Sequence, residues 1–278
     1  MPSLFRAAAL AATLLGATAC ADSATEVTLG PLTGQLVFGV TSTNRLVAFD
    51  AGRPSELTTN VAITGLAASE RIVGLDVRPV GKVLVGLGSS SRLYVINPTT
   101  GAAMPLGTTL FATALAGASF GFDFNPTVDR VRSSSDADQN LRLHPELGTV
   151  AVVDVNFAYG QGDAGAGRNP AIVAMAYTNS MAGATSTTLF AIDSETDILA
   201  SIAAPNGGVL TTVGPLGVNT TGDANLDISP ASGVLYASLT PSGTSVSRLY
   251  RVDPMTGTAT VVGAIGGGVT LTAMALAL

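Results

Sequence analysis

The stretch that decides the fold runs from Ile72 to Gly107, IVGLDVRPVGKVLVGLGSSSRLYVINPTTGAAMPLG. It reads as four short strands joined by tight turns. Ile72 to Val77 is apolar apart from Asp76, and Pro79 to Gly81 marks a turn. Val83 to Leu87 is a second apolar run, closed by Gly88 to Ser91. Leu93 to Ile96 is rich in the branched and aromatic side chains that fit a pleated surface. In Asn97-Pro98-Thr99-Thr100-Gly101, Asn can bond its own backbone, Pro presets φ, and Gly accepts the left-handed position. Ala102 to Leu106 completes the unit.

The unit returns at a nearly constant interval. Gly74, Asp76 and Pro79 recur as Gly121, Asp123 and Pro126, each 47 residues later. Asn97-Pro98 becomes His144-Pro145, and Gly101 becomes Gly148. Arg92-Leu93 has an earlier counterpart in Arg45-Leu46. The third-strand motif recurs as Leu189 to Asp193 and as Arg248 to Pro254. The turn markers Asp50, Asn97, His144, Asp193 and Asp253 lie 47, 47, 49 and 60 residues apart. A period in the forties with four strands per repeat predicts a β-propeller.

The two ends of the repeat region complement each other. Thr270 to Leu278 resembles the first strand of a unit with nothing after it. The first unit, Gln35 to about Thr64, has the later strands and lacks the first. Joining them makes one whole blade and removes exposed sheet edges. The expectation is an all-β, five-bladed propeller over residues 35–278, closed by pairing the C-terminal strand with the N-terminal ones. In the fourth blade the first strand is either Phe157 to Tyr159 or part of Ile172 to Tyr177. In the third, the strand from Arg130 is expected to stop at Arg132, because Ser133-Ser134 interrupts its apolar run.

Composition agrees. Hydrophobic residues make up 47% of the 278 residues and charged residues 12%, as expected where neighbouring blades cover both faces of a sheet. The 32 Gly and 14 Pro suit many tight turns. A net charge of −6, with no basic stripe, argues against nucleic acid. Trp is absent and aromatics are 5%, which disfavours stacking platforms for sugars.

Residues 1–19 read as a signal peptide: Arg6 precedes an apolar run of 13 residues, Ala7 to Ala19, too short for a membrane anchor. Ala17-Thr18-Ala19 fits ordinary secretion. Ala19-Cys20 fits lipidation of Cys20, the single Cys, followed by a small polar tether over residues 20–34. Export to the periplasm or cell surface follows on either reading, and contact with a membrane would be only through a lipid on Cys20.

Three groups of residues could carry chemistry. Asp76, Asp123 and Asp227 occupy one place in the first strand of three blades, where a propeller lines its channel. Carboxylates held close raise one another's pKa or attract a cation such as calcium. The plainer reading has them bonded to turns or to backbone amides of the next blade, or paired with the repeating Arg45, Arg92 and Arg248. Asp136-Ala137-Asp138-Gln139-Asn140 spaces Asp136, Asp138 and Asn140 like the start of a calcium loop. Leu141 and Leu147 stand where that loop needs Gly and Glu. Asp223 to Asp227 has a similar spacing. His144, the single His, sits in a turn, so His-based triads and metal sites have little to work with. The Gly160 to Gly167 loop lacks the Lys-Ser/Thr ending of a phosphate loop.

The phrases VGLDVRP, LGSSSRLYVINPTTG, FGFDFNPTVDRVR, SDADQNLRLHP and AYTNSMAGATSTTLFAID resemble the bacterial "domain of unknown function 4394" family of exported proteins, over about Leu36 to Leu278. The resemblance implies no activity and no catalytic residues. The functional expectation is an exported, monomeric, non-enzymatic binding or scaffold propeller. Its partner would be an unknown protein or small ligand, with no obligatory cofactor. The alternative is a metal-assisted hydrolase or lyase using the channel carboxylates.

Overall fold

A computed structural model describes residues 34–278, so the signal-peptide reading, Cys20 and most of the tether lie outside the described residues. The chain forms five sheets. Blade two contains Ile72–Arg78, Val83–Gly88, Arg92–Ile96 and Ala103–Leu106, in that order from the centre outward. Blade three contains Phe122–Asn125, Arg130–Ser134, Asn140–His144 and Thr149–Val153. Blade five contains Thr220–Ile228, Leu235–Pro241, Arg248–Val252 and Ala259–Ala264. All these neighbours pair antiparallel, as short connections require.

Blade one is assembled from both ends of the described chain. Leu271–Leu276 pairs antiparallel with Leu36–Thr41, followed by Arg45–Asp50 and Leu57–Ala62. Gln35 donates from Nε2 to the Ala277 carbonyl at 2.7 Å and strengthens the join. The first strand of every blade touches the first strand of both neighbours, so the ring is complete. The architecture is a five-bladed β-propeller.

Blade four decides between the two alternatives left open by the sequence. Its first strand is Ile172–Tyr177, followed by Leu189–Asp193, Ile198–Ile202 and Val209–Pro215. Ala158–Tyr159 is not an inner strand. It pairs in parallel with Val209 and Leu210 on the outer edge, making a fifth strand. Tyr159 explains the placement: it is buried under the blade and its hydroxyl donates to Asp193, the turn marker. Blade three corrects the sequence reading. The strand runs on through Ser133 and Ser134, both buried, and the Ser134 hydroxyl donates to the Ile172 carbonyl of blade four at 2.9 Å. A serine continues a buried strand when its hydroxyl finds a partner.

The turn markers work alike despite differing chemistry. Asn97 Oδ1 accepts from the N–H groups of Thr99 and Thr100 at 2.9 and 3.0 Å. His144 uses Nδ1 for the same task, accepting from Glu146 and Leu147 at 3.3 and 3.4 Å. Asp253 accepts from Met255 at 2.8 Å. Gly101 and Gly148 close their turns with φ of 73° and 63°, and each presses on the backbone of the preceding blade. A Cβ at Gly148 would lie 2.0 Å from the Leu106 oxygen. The repeated Gly74 and Gly121 answer to crowding around the axis. A Cβ at Gly74 would sit 2.6 Å from Cβ of Phe122 in the next blade.

Candidate functional site

The inner strands place Asp76, Asp123 and Asp227 at one level of the channel. They are 5%, 1% and 4% exposed, and one oxygen from each lies within 4.8 Å of those from the other two. Each carboxylate reaches sideways to the following blade. Asp76 Oδ2 accepts from the Phe124 N–H at 2.7 Å, Asp123 Oδ1 from the Tyr177 N–H at 3.0 Å, and Asp227 Oδ2 from the Leu276 N–H at 2.6 Å. Asp76 and Asp227 also accept from the N–H of the residue that follows them. These are the backbone ties to the next blade that the plainer reading expected. The pairing with repeating arginines is not found: among the described residues no ion pair involves these three acids, and Arg45 bonds Asn60 instead. Alanines stand at the matching positions of the other two blades, Ala176 before Tyr177 and Ala275 before Leu276.

The electrostatics follow from burial and crowding. Burial pushes the carboxyl of Asp227 up to about 7, against the lowering pull of its two backbone donors. Burial first, and then the Asp227 charge, raises Asp76 well above the usual range. Asp123 is raised by burial and then by both other acids. Three full negative charges in so small a dry volume repel strongly. Burial and crowding therefore favour a proton or a cation on the cluster over three bare charges.

Two residues before the acids along the chain, Gly74, Gly121 and Asn225 line, with Ala174, a cavity of about 10 Å³. The small residues leave that space open. Asn225 is 7% exposed, and its Nδ2 finds no hydrogen-bond partner among the described residues.

A larger cavity, about 250 Å³, lies further along the channel at its mouth, and its lining includes Arg71, Ser89, Ser119, Phe120, Asp223 and Thr272. They come from four blades and, apart from Ser89, which follows the second strand of blade two, belong to or shortly precede the inner strands. Half-burial pushes the Asp223 carboxyl up, and the Arg71 charge pulls it part-way back. No ion pair joins them among the described residues. Arg71 Nη2 approaches the Ser42 carbonyl at 3.5 Å. Sequence reasoning missed this cavity. Its residues precede the repeated motif and vary from blade to blade.

The Asp136 to Asn140 segment is the hairpin between two strands of blade three. Asp136 Oδ1 accepts from the Ala118 N–H at 2.8 Å, and Asp138 takes a positive φ of 63° in the turn. Asn140 points elsewhere: Oδ1 accepts from Arg132 Nη1, and Nδ2 donates to the carbonyls of Val155 and Pro205. Its oxygen already faces a cation. Sequence reasoning also missed Arg132, whose side chain is 2% exposed. It donates to Tyr177 Oη at 2.9 Å, Asn140 Oδ1, Asp154 Oδ2 at 3.0 Å and Asn206 Oδ1 at 2.6 Å.

A family model, "Domain of unknown function (DUF4394)", matches residues 45–275. The chain belongs to the DUF4394 family. No curated protein matches it. Among solved structures it is similar to Kuenenia stuttgartiensis hydrazine synthase, at 12% identity and a TM-score of 0.42, over 73% of this chain and 51% of that one. It is also similar to BBS1N in complex with ARL6DN, at 10% identity and a TM-score of 0.41, over 81% of this chain and 60% of the other. The DUF4394 chain thus spans about half to three fifths of the length of these two.

Proposed function

We propose that this DUF4394 propeller is a non-enzymatic binding protein that holds a compact polar ligand at the mouth of its channel. The observation that carries the reading is the mouth cavity of about 250 Å³, with Arg71 and Asp223 on its lining and no ion pair between them. A concave site with a few convergent polar groups and a perturbed carboxyl is the usual form of a small-molecule site. A ligand bearing an anionic group for Arg71 and a donor or cationic group for Asp223 matches it, with Phe120 offering an apolar wall. The hydrolase or lyase reading needs carboxylates that water and substrate can reach. The burial of Asp76, Asp123 and Asp227, and their use by backbone N–H groups, weigh against it.

We include export in the proposal, with the chain acting as a monomer, secreted or held in the bacterial envelope by a lipid on Cys20. Mass spectrometry of the mature N-terminus separates lipidated Cys20 from simple cleavage.

The binding test is thermal melting of the wild type against a panel of free amino acids and small dicarboxylates, with Arg71→Ala and Asp223→Ala in parallel. The expected result is a concentration-dependent rise in Tm that both variants abolish. No shift across the panel, together with no partner above background in a pull-down from envelope extract, would remove the reading.

A further inference from the structure

We propose that the channel cluster Asp76, Asp123 and Asp227, together with Asn225, is a binding site for one hard divalent cation of the calcium or manganese class. The argument begins with spacing. Calcium takes oxygen ligands at about 2.3–2.6 Å, so ligand oxygens on opposite sides of one ion are about 4.6–5.2 Å apart. The three carboxylates offer oxygens that all lie within 4.8 Å of one another. They come from blades two, three and five, so they approach the axis from different directions.

The second observation is independent of the acids. Asn225 lies two residues before Asp227, on the same face of its strand, and lines the small cavity. It is 7% exposed and its amide nitrogen is unpartnered, which a buried polar group seldom tolerates without an occupant beside it. Half a turn about its last side-chain bond exchanges Nδ2 for Oδ1 at that cavity, two residues along the chain from the carboxylates. A cavity of about 10 Å³ is close to the volume one small occupant needs. Gly74, Gly121 and Ala174 around it, and Ala176 and Ala275 at the matching acid positions, keep bulky side chains out.

Oxygen capacity and charge agree with a cation. Asp123 Oδ2 has no hydrogen bond to the protein among the described residues, so one oxygen of the most buried acid is free for a ligand bond. The oxygens that accept one N–H keep a second lone pair. No Arg or Lys pairs with the cluster among the described residues. A divalent ion would cancel most of the repulsion, and the carboxyls would surrender their protons on binding it. The site is separate from the mouth cavity and does not depend on a ligand there.

The test starts from the full chain stripped with chelator and desalted, then titrated with calcium and with manganese at neutral pH. Calorimetry in two buffers of different ionisation enthalpy reads affinity, stoichiometry and protons released. The expected result is one ion per chain with a dissociation constant below about 1 mM, release of protons, and a rise in Tm with cation concentration. Asn225→Leu, which removes the unpaired amide and leaves the three acids, is expected to weaken binding about tenfold or more. Asp123→Asn is expected to abolish it. Should Asp123→Asn fail to fold, Asn225→Leu still decides. No saturable binding at several millimolar cation, an unchanged Tm, or undiminished binding in Asn225→Leu overturns the proposal. A melting temperature that responds to pH but not to cation means the acids only share protons, and that also overturns it.

Discussion

Two neighbouring seams of the ring are held in opposite ways. Between blades four and five the contact is apolar: Val173, Ala174 and Ile192 pack with Leu226, Leu235, Leu239 and Tyr250 in one buried cluster. Between blades three and four it is polar. Arg132 crosses to Tyr177, Asp123 takes the Tyr177 N–H, and the Ser134 hydroxyl reaches the Ile172 carbonyl. The aspartates tie blades two to three, three to four and five to one, while Ala176 and Ala275 stand at the matching positions of the other two seams. The difference teaches that similar sheets can be stacked by burial of area or by directed bonds. Only the second leaves charged groups at the axis.

Mutations separate the two modes. Arg132→Ala should have the largest effect. It removes the partner of Tyr177, Asn140 and Asn206 in a buried network, a loss of about 3–5 kcal/mol, although Asp154 keeps Arg142 at 2.7 Å. Urea unfolding reads it. Leu226→Ala in the apolar seam should cost about 3 kcal/mol, mid-range for such truncations. The two share no partner, so the double variant should lie within about 0.5 kcal/mol of the sum. A clear excess or shortfall would mean that the seams are not independent. Gly74→Ala, forced against Phe122, should cost about 1–3 kcal/mol by overpacking. His144→Asn should change stability by less than about 0.5 kcal/mol, because either side chain can accept from the turn N–H groups.

The polar hub also gives the protein a pH dependence opposite in sign to that of ordinary surface carboxylates. The folded cluster retains protons that the unfolded chain releases above pH about 4. Folding therefore takes up protons, and the contribution of these groups falls as pH climbs from about 4 through 7. Removing one acid relieves the repulsion. In chelator, the stability of the wild type relative to Asp123→Asn should decline over that interval, read as urea midpoints at a series of pH values. A relative stability that rises with pH would put the charges elsewhere.

The sequence made the ring legible and left its seams unread. The near-constant spacing of Gly74 and Gly121, Asp76 and Asp123, and Asn97 and His144 was enough for blade count and closure, because a repeat writes its period into every unit. It also placed Asp76, Asp123 and Asp227 at one level of the inner strands. It could not tell whether they meet at the axis or turn into the seams, and they do both. Arg132 was hidden because its partners Asn140, Asp154, Tyr177 and Asn206 are 8 to 74 residues away and follow no period. Ser133 and Ser134 looked like the end of a strand for the same reason: their justification lies in the next blade. Ala158–Tyr159 escaped because a two-residue parallel edge strand has no pattern of its own.

The central claim is that three buried aspartates meet at the axis and hold protons more tightly than ordinary carboxylates do, unless a cation replaces them. Carbon-13 NMR titration of the aspartate side-chain carboxyls, in chelator, reads each group directly. The account predicts that Asp227 titrates near 7 and that Asp76 and Asp123 titrate well above the usual range, all three moving down when calcium is added. Every aspartate titrating near 4 in the folded, cation-free protein would contradict it.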